Sequence, residues 1–218
     1  MKPKTNDIER RYTSIPVGYK DDGETRKIGG YAAVFNKLSE DLGGFREKID
    51  PRAFDDVLDN DVRAYFNHDR NKILARVKSG TLSIGVDEKG LHYELIPGNQ
   101  TYSKDLQESM DRGDVDQSSF AFIVLDDHWE ESDEHGYIRT VLKAKRLFDV
   151  SPVSEPAYPD ATVGLRRLEQ FKESRNQPEP EPEVDPDDDK AKRAEFIKDW
   201  SDEWKRINDV REDESNKQ

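Results

Sequence analysis

Asp116-Gln117-Ser118-Ser119-Phe120-Ala121-Phe122 is the segment that decides the fold, because its alternating side chains predict a β-strand with one aromatic face. The two phenylalanines would point to one side of the strand, and Ser119 and Ala121 to the other. The small side chains leave room on their face for the backbone of a bound peptide. By the same alternation Ser118 points to the aromatic side, so Ser119 is the better candidate nucleophile.

A histidine at the end of a second strand-like run is the candidate general base. Tyr65-Phe66-Asn67-His68-Asp69 leads from apolar residues into charged, loop-like ones. A general base needs a fixed position, with one ring nitrogen facing the nucleophile. Since the chain contains no cysteine, a thiol nucleophile is excluded. A serine activated by His68 is the chemistry that these residues allow.

A third group would have to orient the imidazole and stabilise its charge, and three acidic residues are candidates. Asp69 is adjacent to His68 in sequence, which makes a bond to its ring awkward. Asp149 belongs to a predicted strand that could lie beside the strand of Ser119, and Glu155 follows shortly after. Spacing alone does not choose between Asp149 and Glu155.

The body of the chain, about residues 10–167, carries mainly strand patterns, and two short helices interrupt them. The expected fold class is therefore mainly β with flanking helices, arranged as a closed β-barrel. Helices are expected at Pro51–Leu58, after a capping Asp50, and at Tyr102–Arg112, which Gly113 ends. Strands are expected at Lys27–Phe35, Val62–Phe66, Thr81–Val86, Leu91–Ile96, Ser118–Leu125 and Tyr137–Leu147, with a long acidic connection over Asp126–Gly136.

Composition excludes several classes of protein. The chain has 218 residues, enough for one domain with appendages, and no cysteine for a disulfide framework or a thiolate zinc site. The absence of cysteine fits a reducing cytosol, and Met1–Pro16 has no apolar run typical of a signal peptide. No segment approaches the roughly 20 apolar residues of a membrane span. A net charge of −13 argues against binding nucleic acid through its backbone.

The C-terminal part has a different composition and predicts a domain division at 1–170, 171–190 and 191–218. Glu179–Asp189 contains seven acidic residues and no basic one, interspersed with prolines, which predicts an extended, disordered linker. Beyond it Phe196, Trp200 and Trp204 recur at four-residue steps, which predicts an amphipathic tail helix. That helix could pack on its own domain or bind a groove on another protein.

Neither a metal ion nor an organic cofactor is expected. His128 and His135 lie among acidic residues, but their spacing matches no metal-ligand pattern, and a solvated acidic loop is the better interpretation. A metal-dependent hydrolase that uses these two histidines stays a third hypothesis, which predicts inhibition by chelators. The glycines at Gly43, Gly44 and Gly113 suit turns, and no phosphate-binding glycine loop is present.

Five motifs in order give the body a resemblance to the prohead serine protease family of tailed bacteriophages, across most of residues 29–165. Ser118 and Ala121 stand where the family has methionine and glycine, and the resemblance assigns the nucleophile to Ser119, the general base to His68 and, less firmly, the partner acid to Asp149. The motifs are Gly30-Tyr31-Ala32-Ala33-Val34-Phe35, Ile49-Asp50-Pro51-Arg52-Ala53-Phe54, Asn67-His68-Asp69, Ser118-Ser119-Phe120-Ala121-Phe122, and the closing pair Asp149-Val150-Ser151-Pro152-Val153 and Pro156-Ala157-Tyr158-Pro159.

The resemblance implies both a fold and a function. The fold would resemble the herpesvirus maturation proteases, a β-barrel ringed by helices. The function would be cleavage of the scaffold protein, or of scaffolding segments of the coat protein, inside the immature capsid in the bacterial host cytoplasm, together with self-cleavage. Scaffold and major capsid protein would then be its substrates and partners, and self-association is left open. Backbone amides near Pro156–Tyr158 are a guess for the oxyanion donors.

One alternative from another class is a non-catalytic capsid assembly or scaffolding protein that kept the same fold. The presence of both His68 and Ser119 argues against it. Self-shortening of the purified chain, and its loss in Ser119→Ala, would distinguish the two.

Overall fold

The structure, a computed structural model, describes residues 7–13, 15–21, 26–155 and 162–176, together with residues 195 and 198. The chain divides into two compact units, Met1–Ser174 and Arg175–Gln218. All ten described strands lie in the first unit. The predicted tail helix falls on residues outside the described part, apart from 195 and 198.

A six-stranded sheet carries the candidate site residues, and a long antiparallel hairpin of β9 and β10 is its centre. At one edge β1 pairs antiparallel with β9, and on the other side β10 pairs in parallel with both β4 and β5. Strand β6 pairs with β5 and forms the second edge. The strands are β1 Glu9–Thr13, β4 Phe45–Ile49, β5 Arg63–Tyr65, β6 Ile73–Arg76, β9 Gln117–Ser132 and β10 Gly136–Val153.

A second, four-stranded antiparallel sheet has the order β2-β3-β8-β7. Its side chains Ile28, Tyr93 and Leu95 share one core with Phe120 and Phe122 of the first sheet. The strands are β2 Gly18–Asp21, β3 Arg26–Val34, β7 Leu82–Val86 and β8 Gly90–Leu95.

The expected closed barrel is wrong, although the mainly β class is confirmed. In the part of the chain that the structure describes, the first sheet ends at β1 and β6 and the second at β2 and β7, and neither closes on itself. Alternating strands bury one face both in a barrel and in two packed open sheets. The residue pattern therefore does not distinguish a barrel from two open sheets, and only the pairing of the strands shows which one forms.

One of the two predicted helices is confirmed, and the other is shorter than expected. Helix α1 spans Thr101–Asp111, and Gly113 follows it with a left-handed φ of +80°. Over 51–58 only a 3₁₀ turn, Asp55–Val57, forms. Eight residues give few internal hydrogen bonds to offset helix nucleation, and this segment is fixed instead by burial of Phe54 against the core.

The predicted acidic loop over 126–136 is also wrong, because β9 and β10 continue through it and leave a turn of three residues. Trp129 on β9 lies 5.1 Å from the ring of Phe45 and 6.2 Å from that of Phe171, measured between ring centres. These inward aromatic contacts stabilise the acidic part of the strand. The hairpin predicted from 81 to 96 is confirmed as β7 and β8.

Helix α2, Thr162–Asn176, was not anticipated. Leu168 is buried with Leu42 and Phe45, and Phe171 packs on Trp129, so the helix covers the outer half of the hairpin. It extends six residues past the predicted domain boundary at 170. The rest of the predicted linker lies outside the described residues, and the proposed division of the chain there stays a prediction.

A buried cluster of six charged side chains, the ionic cluster, joins β1, β4, β9, β10 and α2. Arg139 is fully buried and reaches Glu9 at 2.6 Å and Glu47 at 2.9 Å through Nη1, and Asp127 at 2.7 Å through Nε. The three acids balance three arginines, as a buried charge requires. The members are Glu9, Arg11, Glu47, Asp127, Arg139 and Arg167.

The ionic cluster lowers the pKa of Glu9 and raises that of Arg139. Burial alone would raise the pKa of Glu9, but the hydrogen bond and charge of Arg139, with the charges of Arg11 and Arg167, outweigh it and hold the pKa below the ordinary 4.5. Burial likewise opposes the charge on Arg139, and the acids around it raise its pKa instead. Glu9 and Arg139 are therefore charged in the folded protein at neutral pH, and their ion pair joins β1 to β10.

Candidate active site

Ser119 and Asp149 lie 51 and 81 residues after His68 along the chain, and the three side chains are joined by hydrogen bonds. The imidazole Nδ1 lies 2.6 Å from Asp149 Oδ1, and Nε2 lies 2.7 Å from Ser119 Oγ. Since a carboxylate only accepts hydrogen bonds, Nδ1 carries a proton, and Nε2 is placed to accept the proton of the serine hydroxyl.

The sheet fixes Ser119 from both sides. It stands opposite Tyr12 of β1 and opposite Ser151 of β10. Its side chain is almost completely buried, and Oγ also lies 2.9 Å from the backbone carbonyl oxygen of Arg11. A hydroxyl has one proton to donate, so the carbonyl of Arg11 and the imidazole compete for it.

The alternation predicted for β9 is present. Ser118 points to the opposite face from Ser119, into the core, where its Oγ lies 2.8 Å from the hydroxyl of Tyr93. Burial raises the pKa of Tyr93, although the bond with Ser118 partly offsets this. The two adjacent hydroxyls therefore have different surroundings, and only that of Ser119 meets the imidazole.

The backbone around His68 is held in an uncommon conformation. Asn67 and His68 both have left-handed φ angles, of +55° and +56°. Asn67 donates its backbone N–H to the carbonyl of Pro152 at 3.1 Å, and its side-chain oxygen accepts the N–H of Ser154 at 2.9 Å. Such conformations cost energy unless neighbours enforce them, and these bonds to the end of β10 do so. They aim the imidazole between β9 and β10.

Asp149 is buried, and its Oδ1 accepts a second hydrogen bond. The hydroxyl of Ser151 donates to it at 2.7 Å and accepts the backbone N–H of Tyr65 at 3.3 Å. Glu155, the other acid left open by the sequence, is exposed beyond the end of β10. The carboxylate of Asp69 instead accepts the backbone N–H of Asn71 at 3.0 Å. Of the three acids, Asp149 contacts the imidazole.

Sequence reasoning missed several residues that build the site. Ser151 lies two residues after Asp149 on one strand, so period-two alternation was an available signal. The carbonyl of Arg11 left no such signal, because β1 was not predicted. The guess for oxyanion donors at 156–158 falls outside the described residues. The arrangement of carboxylate, imidazole and hydroxyl suits proton transfer from a serine nucleophile.

The two histidines of the acidic segment lie at different positions on the hairpin. His128 is on β9 opposite Thr140, and His135 is in the turn before β10. Across the residues with described positions, no group of three or more His, Cys, Asp or Glu side chains is placed to hold a metal ion. Within the same residues, no helix has the length and apolar character needed to span a membrane.

Comparison with known proteins gives one match. A family model described as caudovirus prohead serine protease matches residues 13–174, which include all three site residues. A search of curated proteins and a search of solved structures found no match.

Proposed function

Since the chain belongs to the caudovirus prohead serine protease family, a family of serine peptidases, we propose that His68, Ser119 and Asp149 are its catalytic residues. The observation that carries this proposal is the pair of hydrogen bonds, 2.6 and 2.7 Å long, that joins them. Their order of carboxylate, imidazole and hydroxyl is the one that nucleophilic serine catalysis uses.

Each catalytic residue has one task in this mechanism. Ser119 Oγ attacks the carbonyl carbon of the peptide bond while Nε2 of His68 accepts its proton. The imidazolium then donates that proton to the leaving amine, and the C–N bond breaks to leave an acyl-serine. Water, deprotonated by the same imidazole, releases the acid and restores Ser119. Asp149 holds Nδ1–H in place and stabilises the imidazolium throughout.

The supporting groups keep these three side chains in position. Ser151 fixes Asp149, and the bonds of Asn67 to the end of β10 fix the loop of His68. Holding the reacting groups in place lowers the activation free energy, because the entropy of orienting them has been lost before the substrate binds.

A capsid-maturation role follows from the family, and the finer substrates are part of the proposal. We infer that the enzyme cleaves the scaffold protein, or scaffolding segments of the coat protein, inside the immature capsid in the host, and that it also cleaves itself. The acidic, proline-rich segment Glu179–Asp189 supports self-cleavage, because its composition disfavours a packed structure that would protect it.

The test compares the full chain with Ser119→Ala and, as a matched control one residue away, Ser118→Ala. Each is co-expressed with the coat and scaffold proteins, and the products are followed by gel and intact-mass spectrometry. We expect cleavage with the wild-type chain, most of it with Ser118→Ala, and a loss of about four decades or more in rate with Ser119→Ala.

Three results would contradict the proposal. Full cleavage with Ser119→Ala would exclude it as the nucleophile. Intact scaffold, coat and protease in the wild-type sample, with normal capsid assembly, would favour the non-catalytic assembly protein. Inhibition by a chelator would indicate the metal-dependent hydrolase, whereas the serine mechanism is indifferent to chelators.

A further inference from the structure

Arg10 is the second residue of β1, on the same sheet face as the candidate nucleophile. It stands opposite Ala121, two residues along β9 from Ser119. Residues opposite each other in an antiparallel pair share a face, and diagonal neighbours have Cα atoms about 7–8 Å apart. An arginine side chain is long enough to span that distance.

The two arginines of β1 have opposite surroundings. Arg11 points to the other face, where Glu9 and Glu47 bind it at 2.7 and 2.8 Å. Arg10 is half-buried, and among the residues whose positions are described its guanidinium has no hydrogen-bond or ion-pair partner. Its Nε is shielded from solvent all the same.

Partial removal of an unpaired guanidinium from water raises the free energy of the protein, and binding of a carboxylate offsets this increase. Arginine presents a planar set of N–H donors that fits the two oxygens of a carboxylate. Its partner across the two strands, Ala121, is small and almost completely buried. The surroundings of Arg10 therefore suit a ligand carboxylate that arrives from outside the sheet.

We propose that Arg10 is a specificity-determining residue that binds an acidic side chain of the peptide substrate, within about two residues of the bond that is cleaved. This rests on the proposed function, since Ser119 marks where the substrate carbonyl lies. An extended peptide advances about 3.3 Å per residue. Two residues thus advance about 6.6 Å, close to the roughly 7–8 Å that separates Ser119 from the diagonal position of Arg10.

Two further observations agree with this assignment. The chain carries its own acidic segment, Glu179–Asp189, which offers such side chains in a self-cleavage reaction. Arg10 also precedes the residues 13–174 that the family model matches, so its role belongs to this chain and does not come from the family description.

The experiment profiles cleavage of a proteome-derived peptide library by mass spectrometry, with the full-length chain and its variants. For the wild type we expect Asp and Glu to be enriched at one position within two residues of the cleaved bonds. For a peptide from that set, replacing the acid by its amide should lower kcat/KM at least tenfold, which corresponds to about 1.4 kcal/mol. Arg10→Gln should lose the enrichment, and Arg10→Glu should shift it to Lys and Arg.

Arg52→Gln is the matched control, because Arg52 is an exposed arginine of the same domain, and it should keep the wild-type profile. Acid enrichment that persists in Arg10→Gln, or is absent from the wild type, overturns the proposal.

A binding measurement separates this proposal from the catalytic one. In the Ser119→Ala background, fluorescence anisotropy with the acid and amide forms of one labelled peptide should show the same preference, and Arg10→Gln should remove it. If the wild type cleaves no peptide but this binding preference is observed, the proposed catalysis is refuted and the proposed role of Arg10 is retained. Equal binding of the two peptides would refute the role of Arg10.

Discussion

Replacing Arg139 by methionine tests whether the ionic cluster stabilises the sheet that carries the active site. Arg139 is fully buried and contacts Glu9, Glu47 and Asp127. Its removal leaves three buried acids with only two arginines, and so one uncompensated buried charge. Breaking a buried pair in this way typically costs about 3–5 kcal/mol. We expect a loss of that size in the free energy of unfolding at pH 7.

Urea unfolding followed by circular dichroism measures this loss, with the slope of the transition checked for each variant. In thermal unfolding a loss of about 3–5 kcal/mol corresponds to a Tm lower by roughly 6–20 °C, since a domain of this size loses about 2–4 °C per kcal/mol. The control is Arg112→Met, which removes an ion pair with Asp114 between side chains that are 66% and 52% exposed. Pairs of that kind contribute at most about 1 kcal/mol.

The pH dependence gives a second, independent criterion. In the wild type the pKa of Glu9 is lowered by folding, so its contribution to stability is present above 4.5 and is lost as the pH falls through the folded value. Without Arg139 burial dominates and raises the pKa of Glu9, so the variant gains stability as this group takes up its proton. The deficit of Arg139→Met should therefore shrink by about 1 kcal/mol or more between pH 7 and pH 4.

A deficit below about 1 kcal/mol at pH 7, equal to that of the exposed control, would refute the role of the ionic cluster in stability. A large deficit that is the same at both pH values would show that Arg139 acts through packing volume and not through its charge.

Two further outcomes are expected. Asp149→Asn should lower turnover by about four decades, since the amide favours the wrong imidazole tautomer, whereas Glu155→Gln should change turnover little. Steady-state kinetics on a cleaved peptide compares the two variants. Equal losses would leave the third catalytic residue unassigned. A chain that ends after Asn176 should fold and cleave unstructured peptides. It should enter immature capsids poorly when co-expressed with coat and scaffold, because it lacks the predicted tail helix. Normal incorporation would exclude that helix as the delivery signal, and loss of folding would indicate that the helix packs on its own domain.

The parts of the site that follow from local pattern could be predicted from the sequence. Alternation in β9 separated Ser119 from Ser118, and the structure places them on opposite faces. The strand of Asp149 was expected beside that of Ser119, and Asp149 pairs with Ala121 in the register of the sheet. The sequence did not choose between Asp149 and Glu155, because both lie near the end of the same strand.

Strand β1 could not be predicted, because its sequence, Glu-Arg-Arg-Tyr-Thr, is mostly charged. Charged side chains on an inward face are stable only when partners neutralise them. Here the partners are Glu47 and Arg139, which lie 36 and 130 residues away along the chain from Arg11 and Glu9. No short stretch of sequence contains that information. A closed barrel and two open sheets also differ in which distant strands pair, so the same alternating residue pattern fits both.

The long separations within the site have a consequence for synthesis of the protein. The hydroxyl of Ser119 bonds a carbonyl 108 residues earlier, and His68 bonds an acid 81 residues later. A nascent chain that stops short of β10 carries the proposed nucleophile and base but lacks both Asp149 and the carbonyl of Pro152 that holds the histidine loop. Long-range pairings of this kind also form late in folding. The proposed catalytic site can therefore be complete only after the chain has been synthesised through β10.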